Sequence, residues 1–153
     1  MNIRRLTPDD TRAAGQVYLA SRKAAFPAIP ELVHPDEGVL RWFAEVLSRQ
    51  TDMWVAETGG TIIGVMALSD AMIEQLYVAP DRCGSGVGSA LVAVAKSQRP
   101  GGLQLWTFQT NTGARRFYER HGFFAVEWGD GQTNENNAPD VRYVWHPTAV
   151  GSA

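Results

Sequence analysis

Cysteine is all but absent from this 153-residue chain. Cys83 stands alone, which excludes an internal disulfide and any zinc centre built on several thiolates. Histidine is nearly as scarce: His34, His121 and His146 show no metal-ligand spacing, so no metal site is expected. No apolar run approaches the roughly 18–20 residues of a membrane span. Positive charge is not in excess either. Lys and Arg number 14 against 16 Asp and Glu, a formal net charge of −2, which offers no overall attraction to nucleic acid or an anionic membrane. Met1 to Pro8 carries Arg4 and Arg5 with no apolar core behind them, unlike a signal peptide, so the expected location is the cytoplasm. Internal repeats and low-complexity tracts are missing as well.

What is present suits a globular domain. Hydrophobic residues make up 44% and charged residues 20%, values wrong for a disordered chain. The length fits one domain over residues 1–153, and a chain of this size can bury roughly two-thirds of its unfolded surface without disulfides or metals.

Ile3 to Leu6 reads as a short strand. Thr7 then caps a helix with Pro8 at its first position and Asp9 and Asp10 in its first turn. Ala13, Ala14, Val17, Tyr18 and Ser21 carry its period to about Ala25. Three prolines between Phe26 and Asp36 forbid helix there. A second helix begins near Asp36, with Val39, Leu40, Phe43, Val46 and Leu47 on one face and Trp42 flanking it. The period then falls to two. Met53 to Glu57 and Thr61 to Leu68 form a hairpin about Thr58-Gly59-Gly60, and Ile73 to Val78 is a further strand. Helices over Gly86 to Gln98 and Thr112 to His121 alternate with a strand over Leu103 to Gln109. Phe123 to Trp128 and Val141 to Trp145 make a last hairpin around a polar loop, Gly129 to Asp140. Residues 149–153 are expected to fray. This order predicts an α+β domain on a mixed sheet, antiparallel early and partly parallel late.

The most informative stretch runs Leu76-Tyr77-Val78-Ala79-Pro80-Asp81-Arg82-Cys83-Gly84-Ser85-Gly86-Val87-Gly88-Ser89-Ala90. A strand ends, three glycines alternate, and an apolar helix begins. Glycines let backbone N–H groups approach a ligand, and the first turn of a helix favours a phosphate; a turn that holds nothing is the plain alternative. A P-loop would need Gly-Lys-Ser/Thr where Gly88-Ser89-Ala90 stands. A dinucleotide fingerprint would need an acid about 20 residues on, and Gln104 to Gln109 contains none.

A second segment, Asn111-Thr112-Gly113-Ala114-Arg115-Arg116-Phe117-Tyr118-Glu119-Arg120-His121-Gly122-Phe123, completes the pattern. Together the two closely resemble the GNAT superfamily of acyl-CoA-dependent N-acyltransferases. There a Leu-Tyr-Val-x-Pro strand end leads into Arg/Gln-x-x-Gly-x-Gly/Ala, and a later Asn-x-x-Ala-x-x-Phe-Tyr-x-x-x-Gly-Phe segment finishes the acyl-CoA site. The resemblance implies a mixed central sheet of about seven strands, splayed at the cofactor site, with about four flanking helices. It implies an N-acetyltransferase moving an acetyl group from acetyl-CoA to the primary amine of a small amine, amino acid or peptide terminus. Homodimers are common in the family, and nothing in the sequence decides the point. Cofactor contacts carry over to Leu76, Tyr77, Val78, Cys83, Gly84, Ser85, Gly86, Val87, Gly88, Ser89, Asn111 and Tyr118. Cys83 departs from the pattern, standing where Arg or Gln is usual, with Arg82 displaced by one residue. A non-catalytic acyl-CoA-binding regulatory module is therefore the alternative function, and a small neutral loop residue the plain reading of Cys83.

Direct transfer makes three chemical demands: a neutral amine, a donor for the thioester oxygen, and a proton for the departing thiolate. The resemblance assigns the last to Tyr118, whose alternative is a core aromatic. The Val78 N–H is the candidate donor. Strand alternation sets Glu74 on the face of Leu76 and Val78, where it can serve as base, unless it is only a surface residue. Asn111 either bonds the pantetheine arm or caps the helix after it. His121 reads as a favourable charge at a helix C-terminus rather than a base. Arg115, Arg116 and Arg120 form a basic cluster, solvated or touching the cofactor's 3′-phosphate. The resemblance implies an acceptor pocket built from Phe26–Asp36 and Gly129–Asp140, with Trp42, Trp54, Trp106, Trp128 and Trp145 as candidate walls unless they are core. Glu127, Asp130, Glu135 and Asp140 form either an acidic rim or a merely solvated loop.

Overall fold

The computed structural model describes residues 1–147; the expected frayed end over 149–153 lies outside them. Strands β1 (Asn2–Arg5), β2 (Asp52–Thr58), β3 (Thr61–Leu68) and β4 (Ile73–Val78) form one antiparallel sheet in that order, and β5 (Leu103–Phe108), β7 (Asp140–Trp145) and β6 (Phe124–Gly129) form a second. The seven strands and the α+β class match expectation. The parallel share is smaller than the element order suggests: among the described residues it is confined to one bridge between Met72 and Gln104.

Helix α1 (Thr11–Ala25) follows a short 3-10 turn at Pro8–Asp10, where the Thr7 N–H donates to Asp10 Oδ2 at 2.7 Å. Asp10 also pairs with Arg4, which reaches Glu57 on β2, tying the helix start to the first sheet. Helix α2 (Asp36–Trp42) runs through a π-helical turn, Phe43–Leu47, into α3 (Ser48–Gln50). The wider turn rotates the apolar face, so Phe43 and Leu47 are buried while Val46, expected beside them, is exposed. Helices α4 (Val87–Gln98) and α5 (Thr112–Arg120) complete the chain. Gly59 and Gly60 both take positive φ, as a two-residue hairpin between twisted strands requires.

The first sheet is buried on both faces. Met53, Val55, Val65 and Ala67 pack against Ala14, Val17, Tyr18, Leu40 and Phe43 of α1, α2 and the π turn. Ala56, Met66, Leu68 and Ile73 meet Val87, Leu91, Val92 and Ala95 of α4, with Leu105, Val141 and Tyr143 of the second sheet. Gly64 lies where β3 touches α4: an added Cβ would fall 2.8 Å from Val87 Cγ1. Among the described residues, no helix is long and apolar enough to cross a membrane.

Candidate active site

Strands β4 and β5 begin side by side, where the Gln104 N–H donates to Ala71 O at 2.8 Å, and then part, β4 staying with β3 and β5 with β7. The Ala79 N–H donates to Ile63 O. With Tyr77 opposite Val65 and Val78 opposite Gly64, antiparallel alternation assigns the ladder bonds to Tyr77 and turns the backbone groups of Leu76 and Val78 away from β3, into the gap. Sheet divergence thus leaves an unpaired strand edge inside the molecule.

On one face of this gap lies the glycine loop. Residues Asp81 to Gly86 are exposed, with φ of +81° at Gly84 and +90° at Gly86, values an L side chain rarely adopts. Gly86 is the N-cap of α4 and has no side chain to cap it; the first intrahelical bond is Ala90 N–H to Gly86 O at 3.0 Å. The N–H groups of Val87, Gly88 and Ser89 precede that bond and face outward with the positive end of the helix. The Val87 side chain is buried against β3, so only its backbone is available. Gly88 sits beside the Phe117 ring, joining α4 to α5. The Cys83 thiol is exposed, its one weak contact being with Ala79 O at 3.8 Å.

Tyr118 is 8% exposed and packs edge-on to Phe117 and Phe123. Burial first, and then the Tyr77 phenol, push its pKa well above the usual 10. Among the described residues its hydroxyl has no hydrogen-bond partner. Asn111 caps α5, its Oδ1 accepting from the Ala114 N–H at 3.2 Å. Arg115 is withdrawn from the expected basic cluster: it donates to Tyr143 Oη at 3.2 Å and Gln109 O at 3.1 Å and lies 4.9 Å from the Trp128 ring. His121 differs from expectation. Burial, with Lys96 and Arg120 adding to it, lowers its pKa, which disfavours the cation expected at the helix end; Nε2 instead contacts Ser89 Oγ at 3.0 Å.

On the other face is a cavity of about 540 Å³. Its walls come from α1 (Tyr18, Arg22), α2 (Val39, Trp42), β4 (Glu74, Gln75, Tyr77), β5 (Trp106, Phe108) and two loops (His34, Glu135). Two side-chain placements bear on the sequence reading. Tyr77, expected among the cofactor contacts, has its ring in this cavity, 4.7 Å from Tyr18, and burial pushes its pKa up to about 12. Glu74 does not share the face of Leu76 and Val78. It sits in a β-bulge, since Ala67 opposes Gln75 and Leu68 opposes Ile73, and the lost alternation turns it to the cavity with Gln75. Its Oε1 accepts from Ser69 Oγ at 2.8 Å.

The loops 26–35 and 130–139 touch through His34 Nε2 with Glu135 Oε2 at 3.1 Å and through Asn136 Nδ2, which donates to Glu31 O at 3.1 Å. Of the four acids only Glu135 lines the cavity; Glu127 pairs with Arg142, Asp140 accepts from Asn134, and Asp130 accepts from the Gln132 N–H. Of the five tryptophans only Trp42 and Trp106 line the cavity; Trp54 and Trp145 pack on the core, and Trp128 is exposed. Sequence reasoning missed Arg22 and Tyr143. Arg22 follows Tyr18 by four residues on the buried stripe of α1, and that spacing was the available signal. Tyr143, fully buried, donates to Glu119 at 2.7 Å and fixes α5 on the second sheet.

A splayed α+β sheet with a glycine-rich helix start at the splay is the architecture that the sequence resemblance implies. The comparisons agree: the model of the acetyltransferase (GNAT) domain matches residues 49–124, and the chain belongs to the GNAT superfamily. A probable N-acetyltransferase of Mycobacterium tuberculosis is 36% identical over 111 residues, 63% of this chain and 62% of that protein. An uncharacterized N-acetyltransferase of Methanocaldococcus jannaschii is 28% identical over 138 residues, 79% of this chain and 59% of the relative. The chain thus spans less than two-thirds of the length of either relative. The fold is shared with the PaiA N-acetyltransferase of Thermoplasma acidophilum, solved in complex with coenzyme A (TM-score 0.71, 18% identity, covering 95% of this chain and 98% of that one).

Proposed function

We propose that residues 1–153 form a single cytoplasmic N-acetyltransferase domain that moves an acetyl group from acetyl-CoA to the primary amine of a small molecule or peptide. The observation that carries this reading is the unpaired β4 edge at Leu76 and Val78 beside the outward N–H groups of Val87, Gly88 and Ser89. A ligand with amides along a thin arm and a pyrophosphate at its end suits both: the arm bonds the strand edge as a β-like partner, and the phosphates meet the helix start. The positive φ at Gly84 and Gly86, with open space at each Cβ position, keeps that cradle clear. Bound there, acetyl-CoA supplies an activated acyl thioester.

The residues then divide the work. The Val78 N–H donates to the thioester oxygen as charge gathers on it. Glu74, with one carboxylate oxygen held by Ser69, takes the amine's proton directly or through water. As the amine nitrogen bonds to the acyl carbon and the carbon–sulfur bond breaks, the sulfur takes its proton from Tyr118. Burial that raises the phenol's pKa raises a neighbouring thiolate's too, because both anions lose water, so the pair stays matched. Asn111 supports the site by capping α5, which carries Tyr118.

The test is calorimetric titration with acetyl-CoA, with NADH and ATP as controls, followed by thiol release across an amine panel. Micromolar binding of acetyl-CoA alone and amine-dependent thiol release are expected. Binding without release from any amine would instead favour a regulatory acyl-CoA-binding module, the reading that Cys83 in place of Arg or Gln suggests. No binding would overturn both.

A further inference from the structure

Arg22 is 7% exposed and is the one charged side chain in the buried core among the described residues. A guanidinium keeps its charge at every accessible pH, and burying it is costly without an anion beside it. No carboxylate pairs with it there. Its Nη1 donates to Tyr18 Oη at 3.1 Å and its Nη2 to Pro30 O at 3.0 Å, the Tyr77 phenol stands close by as a further neutral neighbour, and among the described residues Nε has no acceptor. The Tyr18 and Phe108 rings, 5.7 and 5.9 Å from Cζ, give only partial compensation. The two acids lining the same cavity are engaged elsewhere, Glu74 with Ser69 and Glu135 with His34. Arg22 therefore forms part of the cavity wall as a buried cation lacking its counter-ion.

We propose that the acceptor supplies this counter-ion: it is an amino acid, whose carboxylate pairs with Arg22 while its amine lies toward Glu74 and the β4 edge. The inference rests on the acetyltransferase reading and narrows its substrate class. Two of the guanidinium's five N–H groups are used, and a carboxylate takes two of the remaining three in a fork. Trp42, Trp106, Tyr18 and Tyr77 around the cavity favour an apolar or aromatic side chain.

The experiment titrates the coenzyme A-bound protein calorimetrically with N-acetyl-L-phenylalanine and with N-acetyl-L-phenylalaninamide, which lacks only the anion. The acid should bind at least about tenfold more tightly than the amide. Arg22→Gln should abolish the difference, and Arg22→Lys, which keeps the charge without the fork, should restore part of it. Equal affinities in the wild-type protein, or binding of neither ligand, would overturn the proposal even if the Arg22 variants do not fold. Acetyl-CoA titrated alone keeps the two ideas apart: binding there without an acid–amide difference sinks the amino-acid acceptor and spares the acetyltransferase.

Discussion

Replacing Tyr118 by phenylalanine removes one oxygen from the structure and, on the mechanism above, the proton source of the reaction. The two consequences differ greatly in size. The hydroxyl has no hydrogen-bond partner among the described residues, and the ring keeps its packing on Phe117 and Phe123. No bond is lost and no cavity a methyl group could fill is made, so stability should change by less than about 1 kcal/mol, a shift of a few degrees at most in Tm. Loss of a general acid removes about 100-fold or more from kcat, roughly 2.7 kcal/mol of barrier. Acetyl-CoA affinity should stay near the wild-type value. Because burial holds the phenol protonated far above its usual range, the wild-type kcat should show no basic limb from Tyr118 up to about pH 9. Steady-state kinetics, acetyl-CoA calorimetry and thermal unfolding of the same two preparations decide the matter. If kcat is unchanged at every pH, the acid assignment is wrong. If kcat and Tm fall together by large amounts, Tyr118 acts through packing and the reasoning fails differently.

Gly64→Ala should destabilise by about 1–3 kcal/mol in urea unfolding, because the new Cβ would lie 2.8 Å from Val87 Cγ1 and 3.2 Å from Leu91 Cδ1, and a helical valine has almost one rotamer; a rise in stability would show that α4 moves at little cost. Gly86→Ala should weaken acetyl-CoA binding by straining φ +90°, while Cys83→Ala, which loses only an exposed thiol, should leave it unaltered; calorimetry showing the reverse order would remove the backbone cradle from the argument. The Arg4 guanidinium holds the Asp10 carboxyl well below the carboxylate range. A depressed folded pKa gives stability that is present above the unfolded value of about 3.9 and lost as pH falls through the folded one. The Tm advantage of the wild type over Asp10→Asn should therefore be constant from about pH 6 to 8 and shrink below about pH 5; an advantage that grows on acidification would contradict the pairing.

Much of the fold was legible because its signals are local. Thr7-Pro8 marked the entry to α1, Gly59-Gly60 the first hairpin, and Gly84-Ser85-Gly86 the helix start at the splay, each through a backbone requirement that few residues meet. The parts that escaped depend on pairing between distant strands. Alternation alone put Glu74 with Leu76 and Val78, and only the opposition of Ala67 to Gln75 exposes the bulge that turns it. The π turn at Phe43–Leu47 moved Val46 outward in the same way, one residue upsetting a period. Arg22 was hidden for another reason. Charged residues are assigned to solvent by default, and its burial depends on Pro30 and Phe108, which reach it only in the folded chain.

Sheet edges are ordinarily a hazard, since a row of free backbone donors and acceptors invites a second chain to add a strand and begin an aggregate. In the first sheet the outer rim strand, β1, has only four residues, two of them arginine. The edge at Leu76 and Val78 is instead recessed between two sheets of the same chain. A neighbouring molecule cannot lay a strand along it without prising those sheets apart, whereas a slender extended ligand can. On the proposed reading, the geometry that leaves the edge unpaired also screens what can pair with it, so a feature that elsewhere threatens solubility would act here as a filter on the shape of the ligand.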